Sequence, residues 1–159
     1  MVLLWALATC SSAWAAEETD ACAPRVLAVQ AARSADGARP VEGWQDVTLP
    51  DVWTRRWPGD AGPVWYRMDW ERGCGGAATG FEPLALGMSG MSMAGEVFIN
   101  NDLLWRDASL VEPLSRSWNM PRAFLLPESA LHAGVNTFWV RVVGPASLSP
   151  GLGVMQVGF

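Results

Sequence analysis

Between Val64 and Trp70 the chain alternates, with Val64, Tyr66, Met68 and Trp70 separated by Trp65, Arg67 and Asp69. A period of two predicts a strand with one buried face. Phe138, Val140 and Val142 alternate with Trp139 and Arg141 in the same way, which predicts a second half-buried strand. Glu96-Val97-Phe98-Ile99 runs into Asn100-Asn101-Asp102 and is followed by Leu103-Leu104-Trp105, the pattern of a hairpin closed by a tight Asn/Asp turn. Near the start, Arg25-Val26-Leu27-Ala28-Val29 reads as a first edge strand and Ser34 to Pro40 as a linker.

Turn chemistry separates these segments: Leu49-Pro50-Asp51, Trp57-Pro58-Gly59-Asp60, Cys74-Gly75-Gly76, Met120-Pro121, Leu126-Pro127-Glu128 and Gly144-Pro145. With 16 Gly and 11 Pro in 159 residues, long helices have little room. The one helical expectation is Pro127 to Gly134, about two turns with Pro at the start and Gly at the end. Many short strands with regular turn signals argue for a β-sandwich or barrel. The methionines of Gly87-Met88-Ser89-Gly90-Met91-Ser92-Met93 read as core filling.

The first 15 residues are uncharged and apolar, and Ala13-Trp14-Ala15 fits a signal-peptidase site, so residues 1–15 read as a signal peptide without its usual positive n-region. Lipidation at Cys10 is a minor reading, because Thr9 suits a lipoprotein box poorly. Residues 16–40 then hold the edge strand and linker, and 41–159 the main domain. An exported chain meets an oxidising compartment, and Cys22 and Cys74 remain as an even pair. A disulfide between them would close a loop of about 50 residues and contribute roughly 4 kcal/mol; two buried free thiols are the other reading. A net charge of −5 excludes the basic footprint expected of nucleic-acid binding.

Three blocks in order carry a family resemblance: Trp44-Gln45-Asp46-Val47-Thr48-Leu49-Pro50-Asp51-Val52-Trp53, Val64-Trp65-Tyr66-Arg67, and Gly95 to Leu104. With Gly134-Val135-Asn136 and Val140-Arg141-Val142 they resemble the galactose-binding-like jelly roll, an antiparallel β-sandwich, over about residues 40–143. The nearest branches in kind are the sugar-binding domain of family 2 glycosidases and the periplasmic sensor domain of bacterial membrane histidine kinases and diguanylate cyclases. The aromatic and basic richness of Trp53 to Pro58, Trp105-Arg106-Asp107 and Ser117 to Pro121 is more similar to the sensor branch. That resemblance implies a transmembrane and cytoplasmic signalling domain beyond the chain end. The glycosidase branch implies a carbohydrate-binding accessory module, with catalytic acids in a separate barrel domain.

No catalytic constellation is legible. Glu82, Glu96, Asp102, Asp107, Glu112 and Glu128 are available as glycosidase acids, but they lie on a strand or after turns, where carboxylates are ordinarily solvated. Residues 87–93 miss the Gly-x-Ser-x-Gly spacing of a nucleophile elbow. His132, the single histidine, reads as a surface cap, and with two cysteines it makes no zinc site. No cofactor is expected.

Tryptophan is the unusual component, since eight of the ten lie beyond residue 15. Trp44, Trp65 and Trp70 read as core. Trp53, Trp57, Trp105 and Trp118 each sit beside turn residues and beside Arg, Asp or Asn, where a sugar could stack its C–H face on the ring while hydroxyls meet polar groups. The alternative is that these rings seal the ends of the sandwich under stacked arginines. Arg55 and Arg56 either hold an acidic ligand or pair with Asp51, Asp60 or Asp107. The ligand-contact candidates are therefore Trp53, Arg55, Arg56, Trp57, Trp105, Asp107, Trp118 and Asn119. A non-catalytic sensing input domain for a small molecule or carbohydrate is the first expectation, and a carbohydrate-binding accessory module the second.

Overall fold

A computed structural model describes residues 23–73 and 83–158. The signal peptide, Cys10, the Cys22 and Cys74 pair and Glu82 lie outside the described residues. The described residues form twelve strands: β1 (Arg25–Arg33), β2 (Gln45–Asp46), β3 (Asp51–Val52), β4 (Val64–Glu71), β5 (Ala85–Met88), β6 (Met91–Ser92), β7 (Ala94–Ile99), β8 (Asp102–Arg106), β9 (Arg122–Leu125), β10 (Val135–Val143), β11 (Gly151–Leu152) and β12 (Met155–Gly158). They make a six-stranded sheet in the order β2-β1-β4-β10-β7-β8 and two three-stranded sheets, β3-β11-β6 and β12-β5-β9. Every pairing is antiparallel, so the fold is the all-β sandwich of the jelly-roll kind.

Alternation decides which face is buried. Val64, Tyr66, Met68 and Trp70 of β4 and Phe138, Val140 and Val142 of β10 turn inward, and none is more than 1% exposed. Leu86, Met88 and Met155 meet them from the β12-β5-β9 sheet in a single core. Trp70 and Phe138 stack there with centroids 5.4 Å apart, and burying each such side chain contributes about 1.5–3 kcal/mol. Met88, Met91 and Met93 are buried as expected. The hairpin between β7 and β8 turns at Asn100, whose φ of 52° suits Asn better than most residues. Its buried side chain donates to the Ala130 carbonyl and to Asn136 Oδ1, and accepts from the Thr137 amide.

Arg25 to Val29 pair in register with β4 alone, as an edge segment does, and β2 joins β1 only at Gln30 and Ala31. The segment after β1 forms neither strand nor helix and is held down, the Gly37 carbonyl accepting from Trp65 Nε1 and the Arg39 guanidinium lying 4.3 Å from the Trp139 ring centroid. Two expectations are corrected. The stretch from Pro127 to Gly134 holds only a single 3-10 turn at Glu128–Ala130. Buried Asn136 accepts from the His132 amide and donates to the His132 and Gly134 carbonyls, so a side chain captures the groups that a helix would have used. Trp44 is half-buried on the outer face, edge-on to Trp139, rather than in the core. No helix of the described residues is long and apolar enough to cross a membrane.

Candidate functional site

The short sheet β3-β11-β6 is where the loops converge. In its registers Val52 faces Gly151 and Gly151 faces Ser92, while Asp51, Leu152 and Met91 form the alternate, buried row. Gly151 has to be glycine, because a Cβ there would run into the Asp51 carbonyl and the Val52 Cα. Above this floor lies an open cleft of about 280 Å3. One wall comes from Ser89 and Gly90, a second from Ser149 and Gly153, and Trp118 and Asn119 close it from the long loop between β8 and β9.

Backbone bonds fix the walls. The Gly153 amide donates to the Gly90 carbonyl at 2.9 Å, the Ser89 amide to the Val154 carbonyl at 3.0 Å, and the Val154 amide to Ser89 Oγ at 2.8 Å. The Trp118 loop is tied at its root. Asp107, 7% exposed, accepts from the Gly95 amide at 2.8 Å and from Ser117 Oγ, and the Ser117 amide donates to the Met93 carbonyl. A buried carboxylate satisfied this way positions the next residue without being free to contact a ligand itself.

Of the four tryptophans proposed for ligand contact, three are used by the protein. Trp53 is fully buried, with Nε1 donating to the Asp60 carbonyl at 2.9 Å; the turn at Pro58 and Gly59 folds back and brings that acceptor over it. Trp57 carries the Arg33 and Arg56 guanidinium groups at 5.4 and 4.8 Å. Trp105 is covered by Arg122 at 4.2 Å and packs against Phe124. These three follow the sealing alternative. Trp118 is 44% exposed, and no aromatic or cationic group of the described residues stacks on it.

Arg56 donates to both oxygens of Asp51 at 2.9 and 2.6 Å, and Tyr66 Oη donates to Asp51 Oδ2 at 2.7 Å. Bonding to Asp51 raises the Arg56 guanidinium above its ordinary value. Burial, then the bond to Asp51, pushes the Tyr66 hydroxyl far above the usual tyrosine range. Asp51 lines the cleft with its carboxylate bonded to these two partners, and Arg56 follows the pairing alternative. Arg55 is exposed and lines no part of the cleft.

The structure thus brings Trp118 and Asn119 together and places Trp53, Arg55, Arg56, Trp57, Trp105 and Asp107 outside the lining of this cleft. The serines and glycines of the walls escaped the sequence reading. Ser89-Gly90 and Ser149-Pro150-Gly151 are ordinary turn signals, and only the pairing of β11 with β3 and β6 makes them neighbours.

No family model matches the chain, and no curated protein does. Solved structures do. A beta-glucuronidase of an uncultured Clostridium sp. is 15% identical with a TM-score of 0.53, the match covering 79% of this chain and 23% of that one. A glycosyl hydrolase family 2 member from Bacteroides cellulosilyticus DSM 14838 is 16% identical with a TM-score of 0.58 over 84% of this chain and 20% of that one. A glycosyl hydrolase family 2 member from Bacteroides cellulosilyticus, solved from microfluidic crystals, is 14% identical with a TM-score of 0.53 over 85% and 20%. The chain spans about a fifth of the length of these proteins, and the likeness is one of fold.

Proposed function

We propose that the domain binds carbohydrate without performing catalysis, at the cleft under Trp118. The observation that carries this reading is the one exposed aromatic ring among the described residues: Trp118 stands at the rim of a cleft where Ser89, Ser92, Ser149, Asn119 and peptide groups lie beside Pro50, Val52, Met91 and Leu152. A pyranose presents a C–H face to an aromatic ring and hydroxyls at its edge, so a platform beside small, uncharged donors and acceptors suits it. The resemblance in fold to part of three glycoside-acting proteins supports the same ligand class.

Catalysis by paired carboxylates needs two acids flanking the bond to be broken. Asp51 is the one carboxylate among the residues lining the cleft, and Arg56 and Tyr66 hold it. The role is therefore that of an accessory recognition module, and residues 1–15 support export. The first expectation, a sensor input domain, has no observation of the fold or of these neighbours behind it.

A thermal-shift screen of the protein against disaccharides of glucose, galactose, mannose and xylose tests the reading. A ligand at one hundred times its dissociation constant stabilises by about 2.7 kcal/mol. No shift with any saccharide would refute binding at this site.

A further inference from the structure

Positive φ among the described residues falls on Gly37, Gly43, Gly59, Gly62 and Gly90, and otherwise on Asn100 at 52° and Ser149 at 49°. Glycine enters that region freely, Asn tolerates it, and other residues with a Cβ are disfavoured there. Asn100 has an internal reason for its place, since its side chain makes three hydrogen bonds within the fold. Ser149 has none.

The restriction on Ser149 is twofold, because it precedes Pro150. A residue before proline is pushed to extended backbone with ψ of about 120–160°, whereas Ser149 has a ψ of 58°. Both flanks hold it in this conformation. On one side the 3-10 turn Ala146–Leu148 closes with the Leu148 amide on the Pro145 carbonyl. On the other, Pro150 is buried and its carbonyl accepts from the Trp53 amide at 3.3 Å. Backbone kept in a sparsely populated region by its surroundings collects at ligand-contact sites.

Glycine at 149 would relieve the backbone, and the same loop carries glycine at 151 and 153, where a Cβ would strike the Asp51 carbonyl and Ser89 Oγ. What glycine would lack is the hydroxyl. Ser149 is exposed on the wall of the cleft, and its hydroxyl bonds no other described residue. Ser89 on the facing wall differs, since its oxygen already accepts from the Val154 amide.

We infer that Ser149 is a specificity-determining residue of the cleft, its hydroxyl pairing with one hydroxyl of the sugar unit stacked on Trp118 and so selecting that hydroxyl's configuration. The inference rests on the carbohydrate reading of the cleft. Serine and sugar hydroxyls each donate and accept, and inverting one sugar carbon carries the partner out of reach and leaves the bond unmade. Trp118 supplies the ring contact, and Ser149 reads the edge.

Isothermal calorimetry on the whole chain tests it, comparing cellobiose with galactobiose and with mannobiose in the same linkage, pairs whose units differ in the configuration of one hydroxyl. Wild type is expected to prefer one member by about five- to tenfold, the worth of one hydrogen bond between neutral groups. Ser149→Ala keeps the backbone and removes the hydroxyl, and should bring the three to within about twofold by weakening the preferred one. Ser149→Gly should erase the preference too while its Tm rises by about 2–4 °C, and it decides the matter if Ser149→Ala does not fold. Equal binding of the three by wild type, a preference that survives in both variants, or a loss of the same factor for all three, as a merely structural role would give, overturns the inference and leaves the carbohydrate reading standing. Failure of every saccharide to bind overturns that reading and this inference together.

Discussion

Tyr66 donates its hydroxyl to Asp51 Oδ2 at 2.7 Å inside the core, and the same carboxylate receives two bonds from Arg56. One carboxylate thus ties β4, β3 and the turn after β3 together directly behind the cleft. With these two partners its oxygens are hydrogen-bonded although it is only 8% exposed.

Tyr66 is the only tyrosine in the chain, so its titration can be read alone by absorbance in the near ultraviolet. Burial and the bond to Asp51 raise its folded-state value, while the unfolded chain ionises near about pH 10. Below that pH both states hold the proton and the full contribution to stability is present. Above it the unfolded state binds fewer protons than the folded one, so stability falls as pH rises. We expect no tyrosinate absorbance before alkaline unfolding, and a loss of stability above about pH 10 that is absent in Tyr66→Phe. A normal titration in the folded protein would count against this placement.

Removing the carboxylate by Asp51→Ala strands a buried hydroxyl and a partly buried guanidinium. Breaking a buried pair costs about 3–5 kcal/mol, and Arg56 keeps some solvent, so we expect a loss near about 3 kcal/mol by urea denaturation. A loss under about 1 kcal/mol would mean that the network is dispensable.

Asp107 separates positioning from contact. Asp107→Ala frees the Gly95 amide and Ser117 Oγ, costs about 2 kcal/mol, and should speed hydrogen exchange across residues 108–121. Saccharide affinity should fall even though Trp118 is still present. Unchanged exchange would show that the loop is held by something else.

The strand glycines make a paired test. Gly95→Ala forces a Cβ against backbone and should destabilise by about 2–3 kcal/mol, whereas Gly87→Ala should stay within about 0.5 kcal/mol of wild type. A Cβ at Gly95 would strike the Arg141 carbonyl and Met91 Sδ, whereas one at Gly87 would meet only the Gln156 carbonyl at 3.8 Å; chemical denaturation of the two variants measures both, and equal effects would contradict this difference.

The central sheet was legible because Val64 to Trp70 and Phe138 to Val142 alternate cleanly, and because Asn100-Asn101-Asp102 is a turn signal in its own right. The strands β5, β9 and β12 were not, since Gly87, Ala85, Ala123 and Gly158 put almost no side chain on their outer face and so erase the polar half of the pattern. The site was half legible. Trp118 beside Asn119 was visible as an aromatic next to a planar polar group, but Trp53, Trp57 and Trp105 carry the same local signature. What separates them is Arg33, Arg56, Arg122 and the Asp60 carbonyl, brought over three of the rings by turns and strand pairings whose partners the local sequence does not specify.

Calorimetric titration of one saccharide, chosen as the strongest binder in the thermal-shift screen, into wild type, Trp118→Ala and Trp57→Ala tests the account most directly. The expected result is at least about a tenfold loss in Trp118→Ala, the scale of one lost aromatic contact, with wild-type affinity kept in Trp57→Ala. Affinity that survives in Trp118→Ala, or is lost in Trp57→Ala instead, would contradict it.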